Sequence, residues 1–167
     1  MIGKRLRRVR SLFFGPVQTR LRSHIRLMRK LQARGHVRAA RFVARRIQSK
    51  FLVYISPMAT IPHSVRFVHP TGIVIGDGVV LGERVRVYQN VTLGGARIGD
   101  MQKMNYPVIG DDTVIFAGAV IAGAVHIGRG CVIGANSVVL SDVPDGATAV
   151  GAPARVIQSR NSKVETA

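Results

Sequence analysis

The sequence predicts an all-β solenoid, preceded by a short basic helical hairpin and interrupted by one extruded loop. Aliphatic residues recur at every sixth position, a period that fits neither an α-helix nor an alternating strand. This period is typical of a chain that winds through short strands and stacks each turn on the one before. The register slips by two residues after Ile73, and a longer insertion follows Leu93. The repeating residues are Ile55, Ile61, Phe67 and Ile73, then Ile75, Leu81, Val87 and Leu93, then Ile109, Ile115, Ile121, Ile127, Ile133 and Val139.

The composition indicates an aliphatic interior. Apolar residues make up 47% of the chain, whereas aromatic residues make up 5% and tryptophan is absent. One cysteine excludes a disulfide framework and any metal site built from several cysteines. No segment approaches the roughly 18 apolar residues that a membrane-spanning helix needs. We therefore expect a cytoplasmic protein.

The positive charge is concentrated in the first part of the chain. The formal net charge is +17, and residues 1–50 hold sixteen of the 25 Lys and Arg residues but no Asp or Glu. Apolar residues in this segment follow helical spacing. They are Leu21, Ile25, Met28 and Leu31 before Gly35, and Val37, Ala40, Ala44, Ile47 and Phe51 after it. We expect a basic helical segment over residues 1–54, the solenoid over 55–157 and a tail over 158–167.

The insertion over residues 94–108, GGARIGDMQKMNYPV, breaks the six-residue period. It cannot belong to the wall of the solenoid, so we expect a loop that projects from one corner. Loops held by a rigid scaffold often carry functional groups. This loop is therefore a candidate part of a functional site.

Three motifs, in order along the chain, resemble those of the left-handed β-helix acyltransferases of the serine acetyltransferase type. They are H-P-T-G-I-V-I-G over residues 69–76, V-T-L-G-G over 91–95 and G-A-P-A-R-V over 151–156. The resemblance extends from about residue 37 to residue 157. It implies a left-handed parallel β-helix of hexapeptide repeats that assembles as a homotrimer, with active sites between subunits. It also implies acetyl-CoA as the co-substrate and His69 as the general base.

The chemistry of acetyl transfer agrees with these roles. Moving an acetyl group from a thioester to a hydroxyl needs a base that works near neutral pH, and histidine suits that task. The reaction also needs hydrogen-bond donors next to the carbonyl oxygen, which gains negative charge. Backbone N–H groups beside Gly94 and Gly95 can supply them. His63 and His69 are six residues apart and fall on different faces of one turn, so we expect no metal site.

The resemblance also indicates where CoA binds. The family's CoA contacts fall on Gly95, Ala117 and Ala135 in this sequence, and small residues there would leave room for the thin pantetheine arm. Ala117 and Ala135 are eighteen residues apart, which is one full turn, so they should stack. The cofactor-binding residues that we predict are Gly94, Gly95, Ala117, Gly118, Ala135 and Arg155.

The chain departs from the family at the positions that hold serine. Tyr54 occupies the position at which the family has an aspartate that orients the base. Val68 occupies the position at which the family has an aspartate that binds the ammonium group of serine. Asn105 and Tyr106 replace an Arg-His pair that holds the carboxylate. Because these charged partners are lost together, we expect a neutral saccharide hydroxyl as the acceptor, bound by Tyr54, Asn105 and Tyr106. The short acetyltransferases of surface-polysaccharide synthesis, of the colanic-acid type, resemble this chain more closely in that respect.

Other functions stay open at this point. The first is serine O-acetyltransferase activity in cysteine biosynthesis. The second is a basic scaffold that is non-catalytic or binds nucleic acid. We do not expect nucleic-acid binding, because the basic segment has few aromatic residues and no known nucleic-acid motif.

Residues 1–50 allow two interpretations. Basic residues beside an apolar cluster resemble an anchor for an anionic membrane surface, which would make the protein peripheral on the inner face of the membrane. The residues concerned are Lys4, Arg5, Arg7, Arg8, Arg10, Leu12, Phe13 and Phe14. The alternative is a solvated basic face on helices that pack against the trimer.

Overall fold

The structure is a computed structural model that describes residues 15–157. The proposed anchor residues 4–14 and the tail 158–167 lie outside the described residues. Within residues 15–157, no helix is both long and apolar enough to cross a membrane.

Two helices form the predicted hairpin. Helix α1 spans Val17–Ala33 and helix α2 spans Val37–Phe51. Gly35 makes the turn between them with a φ of 77°, a conformation that glycine adopts without steric cost. The helices bury facing apolar residues, which are Leu21, Ile25 and Met28 on α1 and Ala40, Val43, Ile47 and Phe51 on α2. Val37, predicted in this stripe, is exposed, and Val43 takes a buried position that the pattern missed.

Short strands follow the hairpin along the rest of the chain. They are β1 (Tyr54–Ile55), β2 (Arg66–Phe67), β3 (Val74–Ile75), β4 (Val80–Leu81), β5 (Arg86–Val87), β6 (Thr92–Gly94), β7 (Val108–Ile109), β8 (Val114–Ile115), β9 (Val120–Ala122), β10 (His126–Ile127), β11 (Val132–Ile133), β12 (Val138–Val139), β13 (Thr148–Gly151) and β14 (Ala154–Ile157). A short helix, α3 (Asp100–Lys103), lies between β6 and β7. The predicted boundary between residues 54 and 55 falls inside β1.

The strands form three sheets that the chain visits in rotation. Sheet A has the order β1-β3-β6-β9-β12, sheet B the order β10-β7-β4, and sheet C the order β14-β13-β11-β8-β5-β2. Neighbouring strands pair in parallel, except β13 and β14, which pair antiparallel. A chain that passes from A to B to C and back to A forms a coil with three faces. This arrangement confirms the parallel hexapeptide-repeat architecture that the six-residue period predicts.

Aliphatic columns fill the interior of the coil. In most strands the first residue points outward and the second is buried. The buried residues stack turn upon turn, so each sheet lines the interior with one column. The columns are Ile55, Ile75, Leu93, Ile121 and Val139 on sheet A, Leu81, Ile109 and Ile127 on sheet B, and Phe67, Val87, Ile115, Ile133 and Ala149 on sheet C.

The register slip lies earlier than the sequence suggested. Arg66 pairs with Arg86, twenty residues later, whereas Val74 pairs with Thr92, eighteen residues later. Two additional residues therefore lie between Phe67 and Val74. Because the insertion precedes Ile73, that residue does not join the aliphatic column as predicted, and Ile75 stacks on Ile55 instead.

Glycines after the sheet B strands allow successive turns to approach closely. A Cβ atom added to Gly110 would lie 2.6 Å from both the carbonyl carbon and the carbonyl oxygen of Gly128. Gly82 has the same relation to Gly110, with a Cβ-to-carbon distance of 2.8 Å. Glycine is thus required at these corners so that successive turns of the coil can pack.

Candidate active site

His69 lies in the two-residue insertion, at the corner where the chain passes from sheet C to sheet A. Two backbone hydrogen bonds hold the chain on either side: the Val68 N–H donates to the Val87 carbonyl at 2.8 Å, and the Gly72 N–H donates to the Leu52 carbonyl at 2.8 Å. Between them His69 is exposed and has a φ of 49°, which is uncommon for a residue with a side chain. The insertion therefore projects the imidazole away from the wall of the coil.

The imidazole of His69 forms no hydrogen bond and no ion pair within residues 15–157. Other residues with positive φ recur at regular corners, where Asn90 and Asn136 stack against Gly72 and Gly118. His69 departs from that regular pattern. A positive φ at an extra, unpaired position is the kind of local irregularity that functional sites retain.

Tyr54 and Tyr106 lie close to a common carboxylate, that of Asp77. Tyr54 is the outward-facing residue of β1 on sheet A. Burial raises the pKa of its hydroxyl above the ordinary value, and the charge of Asp77 raises it further. The pKa of Tyr106 is raised by the same two causes in the same order. The negative potential of Asp77 therefore reaches both phenols.

The glycines on either side of Asp77 leave room for the ring of Tyr106 to pack against this turn. A Cβ on Gly76 would lie 2.9 Å from Cε1 of Tyr106, and a Cβ on Gly78 would meet Cδ2 of the same ring. Tyr106, near the end of the extruded loop, thus packs its ring on the turn that carries Asp77. This contact fixes the loop at the corner between sheets A and B.

Asp100 organises the extruded loop, which runs from the end of β6 at Gly94 to the start of β7 at Val108. Its Oδ2 accepts hydrogen bonds from the Ala96 and Arg97 N–H groups, each at 2.7 Å, and its Oδ1 accepts one from Nδ2 of Asn105 at 3.0 Å. No motif in the sequence pointed to this role. Asp100 is the one acidic residue of segment 94–108, and that was the signal available.

The Asp100 contacts give the loop a pH dependence. The hydrogen bond from Asn105 and that from the Arg97 N–H hold the pKa of Asp100 below its ordinary value. A carboxyl whose folded-state pKa is lowered stabilises the fold in full above its unfolded pKa, and this stabilisation is lost as the pH falls through the lowered pKa. The loop should therefore stay ordered through neutral pH and loosen only on strong acidification.

We expect Asp100→Asn to loosen the loop at neutral pH. The amide oxygen of the new side chain can still accept hydrogen bonds from the two backbone N–H groups. Its NH₂ group cannot accept one from the NH₂ group of Asn105, so two donors would face each other where a hydrogen bond now exists. Hydrogen exchange at the Ala96 and Arg97 amides should accelerate at least several-fold, with no change at strand amides such as Val132. Equal protection in both proteins would contradict this role.

The predicted cofactor-binding residues lie at several places on the coil. Ala117 and Ala135 stack at the corner from sheet C to sheet A, since the Asn136 N–H donates to the Ala117 carbonyl at 2.9 Å. The predicted stacking is thus observed. Gly118, also at this corner, has a φ of 72°, and a Cβ there would meet Oδ1 of Asn136, so packing alone accounts for this glycine. Arg155 is exposed on β14, opposite Val150.

Gly94 and Gly95 lie at the other corner, where the loop begins. The Gly94 carbonyl accepts a hydrogen bond from the Gly123 N–H at 2.9 Å, and a Cβ on Gly94 would meet nothing within 4 Å. A Cβ on Gly95 would lie 2.9 Å from Cβ of Asp100. The space beside Gly94 is therefore open, whereas Gly95 is needed so that Asp100 can pack against the base of the loop.

Within one chain the predicted residues form two groups at opposite edges of sheet A. One group lies before the sheet A strands, at the corner from sheet C: His69, Ala117, Gly118 and Ala135. The other lies after them, at the corner to sheet B: Gly94, Gly95, Asn105 and Tyr106. Tyr54 is on sheet A itself, and Arg155 is on sheet C.

Comparison with known proteins identifies the family. A family model for the bacterial transferase hexapeptide (six repeats) matches residues 106–141. A serine acetyltransferase of Helicobacter pylori (strain J99) is 39% identical over 138 residues, which cover 80% of this chain and 80% of that protein. The chain belongs to the serine acetyltransferase family. This membership confirms the prediction of an acyltransferase of the serine acetyltransferase type.

Solved structures of the family superimpose on most of the chain. A serine acetyltransferase described as a complex with CoA has a TM-score of 0.76 at 37% identity, covering 83% of this chain and 56% of that chain. A Neisseria gonorrhoeae serine acetyltransferase in complex with serine has a TM-score of 0.76 at 38% identity, with the same two coverages. This chain thus spans little more than half the length of either solved chain.

The predicted saccharide acceptor is wrong. Relatives that match most of this chain are serine acetyltransferases, and one solved relative is described as holding serine. The closer resemblance to the colanic-acid type is likewise unsupported by these relatives. The prediction rested on the loss of charged residues at positions 54, 68, 105 and 106, and that loss does not by itself exclude an amino-acid acceptor.

Proposed function

We propose that this chain is a serine O-acetyltransferase, which transfers the acetyl group of acetyl-CoA to the hydroxyl of L-serine. The observation that carries the proposal is the family membership, given by a serine acetyltransferase that matches 80% of this chain and of its own length. The solved relatives described as complexes with CoA and with serine agree with this donor and this acceptor.

In the proposed mechanism His69 is the general base. It takes the proton of the serine hydroxyl while the serine oxygen attacks the thioester carbonyl carbon. Backbone N–H groups at the base of the loop, beside Gly94 and Gly95, would stabilise the oxyanion. When the tetrahedral intermediate collapses, the C–S bond breaks and His69 returns the proton to the CoA sulfur. The products are O-acetylserine and CoA.

The proposed acetyl-CoA site follows the corner that carries Ala117 and Ala135. Their small side chains stack on successive turns, which leaves a shallow track on which a pantetheine arm can lie. Gly95 would approach the thioester from the base of the loop, and Arg155 would meet the phosphate groups. Backbone groups at this corner already form hydrogen bonds within the coil, so a bound ligand would need to pair with few of them.

We further infer a homotrimer of left-handed coils with active sites between subunits. His69 and the extruded loop lie at opposite edges of sheet A, so a site that uses both needs two copies of the chain. The outer face of sheet A supports this arrangement because it carries mainly β-branched residues. They are Val74, Thr92, Val120 and Val138, which stack in register. Threefold closure is a common symmetry for such association.

The proposal predicts acceptor-dependent release of CoA. Purified protein with acetyl-CoA should release free thiol at a rate that depends on serine and saturates with it, and mass spectrometry should detect O-acetylserine. A panel of neutral and amino sugars should give no more release than buffer. Thiol release with a sugar but not with serine would overturn the proposal, as would a lack of release with every acceptor despite CoA binding.

A further inference from the structure

A cleft of about 380 Å³ lies between helix α2 and the first two turns of the coil. Pockets of about 300–1,000 Å³ are the usual size for small-molecule sites. The polar groups that line it are Gln32, Arg41, Arg45, Gln48, Tyr54, Ser56 and Asp77. Arg41, Arg45 and Asp77 lie outside the residues that were predicted for the site.

One wall of the cleft is cationic. Arg41, Arg45 and Gln48 follow helical spacing on α2, so they lie on one face of the helix. In the part of the chain that the structure describes, neither guanidinium forms an ion pair, and residues 1–50 hold no acid that could neutralise them. Two arginines on one helix face present donors in the fork geometry that matches a carboxylate.

The opposite wall is anionic. Asp77 lies between the two glycines on which Tyr106 packs, so its carboxylate stands where the loop meets the first turns. Tyr54 and Ser56 add hydroxyl groups beside it, and the Ser56 Oγ already accepts the Met58 N–H at 3.0 Å. A cleft with arginines on one side and a carboxylate on the other complements a ligand that carries both a negative and a positive charge.

We propose that this cleft holds the amino-acid part of the acetyl acceptor, with its α-carboxylate bound by Arg41 and Arg45 and its α-ammonium bound by Asp77. This inference rests on the proposed function and names the residues that select serine. It also accounts for the uncharged residues at Val68, Asn105 and Tyr106. The charged partners that the family places there are supplied here by helix α2 and by the turn between β3 and β4.

The position of the cleft suits this role. Tyr106 belongs to the extruded loop, and its ring packs beside Asp77, so the cleft and the base of the loop adjoin at the same corner of the coil. His69 lies at the other edge of sheet A in the same chain. The hydroxyl of a bound serine would therefore face the His69 of a neighbouring copy in the trimer.

Steady-state kinetics with Arg45→Gln, Arg41→Gln and Asp77→Asn test the proposal. Removing one charge-assisted contact should raise the KM for serine by about 10- to 100-fold while the KM for acetyl-CoA stays within about twofold. Arg46→Gln is the matched control, because Arg46 is an exposed arginine of the same helix that does not line the cleft. Thermal unfolding of each variant verifies that it folds.

Truncated acceptors separate the two ends of the site. Ethanolamine lacks the carboxylate, so the Arg41 and Arg45 variants should use it as well as the unaltered protein does. 3-Hydroxypropionate lacks the ammonium, so Asp77→Asn should not impair its use. If both arginine variants and Asp77→Asn fold and keep the serine KM of the unaltered protein, the cleft is not the acceptor site.

The two proposals fail in different ways. If the unaltered protein transfers no acetyl group to serine, the proposed function fails, and the cleft assignment fails with it. If serine turnover is present but insensitive to the three substitutions, the proposed function stands and only the cleft assignment is lost.

Discussion

Replacement of His69 by alanine is expected to lower kcat/KM for acetyl transfer to serine by about 10²- to 10⁴-fold, the usual contribution of a general base. The physical reason is that a serine hydroxyl is a weak nucleophile until its proton is taken up. Because His69 projects from the coil without a hydrogen bond in the described part of the chain, its removal should leave the fold unchanged. Thiol release at saturating acetyl-CoA, measured against serine concentration, gives the ratio.

His126→Ala is the control for His69→Ala. His126 is also an exposed histidine of the coil, but it lies on sheet B in β10 and belongs to neither group of predicted residues. Its replacement should change neither kcat nor the KM for either substrate by more than about twofold. Full activity of His69→Ala, or an equal loss in the two variants, would show that the base is another residue.

Replacement of Gly110 by alanine is expected to lower the free energy of unfolding by about 3 kcal/mol, the upper part of the range for overpacked positions. The added Cβ would meet three backbone atoms of the next turn: the carbonyl carbon and oxygen of Gly128 at 2.6 Å and the nitrogen of Arg129 at 2.7 Å. A flexible side chain could move aside, but backbone in a stacked coil can yield only if two turns separate. Calorimetry and chemical denaturation would measure the loss.

Gly94→Ala is the matched control for Gly110→Ala. Nothing lies within 4 Å of the position that its Cβ would take, and Gly94 has no positive φ. The free energy of unfolding should change by no more than about 0.5 kcal/mol. Equal losses in the two variants would mean that the turns are spaced more loosely than the structure shows.

The fold followed from the sequence because a repeat makes each residue's neighbours predictable. Once the six-residue period is read, the aliphatic residue of one turn must stack on that of the next, and the three columns follow. Ile73 was misplaced because a slip in a periodic pattern can be located only to within one turn from the sequence. The pairing of Val74 with Thr92 moved the slip to the corner that carries His69.

The site was predictable only in part. His69 and the glycines of the loop belong to short motifs, and such motifs can be recognised in a sequence. Asp77, Arg41 and Arg45 belong to none, because their relation arises when helix α2 packs against the first turns of the coil. The saccharide prediction failed at this step. Charges lost at positions 68, 105 and 106 were taken as charges lost from the site, whereas we propose that Arg41, Arg45 and Asp77 of the cleft replace them.

The antiparallel pairing of β14 with β13 limits how copies of the protein can stack end to end at high concentration. A coil of parallel strands offers its last turn as a template on which a second coil could stack, and repeated stacking would grow a fibre. In sheet C the outermost described strand runs in the reverse direction, so an incoming turn cannot match all three faces at once. Helix α2 packs against β1 at the opposite end. Both ends of the described coil are thus unsuited to lengthwise stacking, so growth of a fibre along the coil axis is disfavoured.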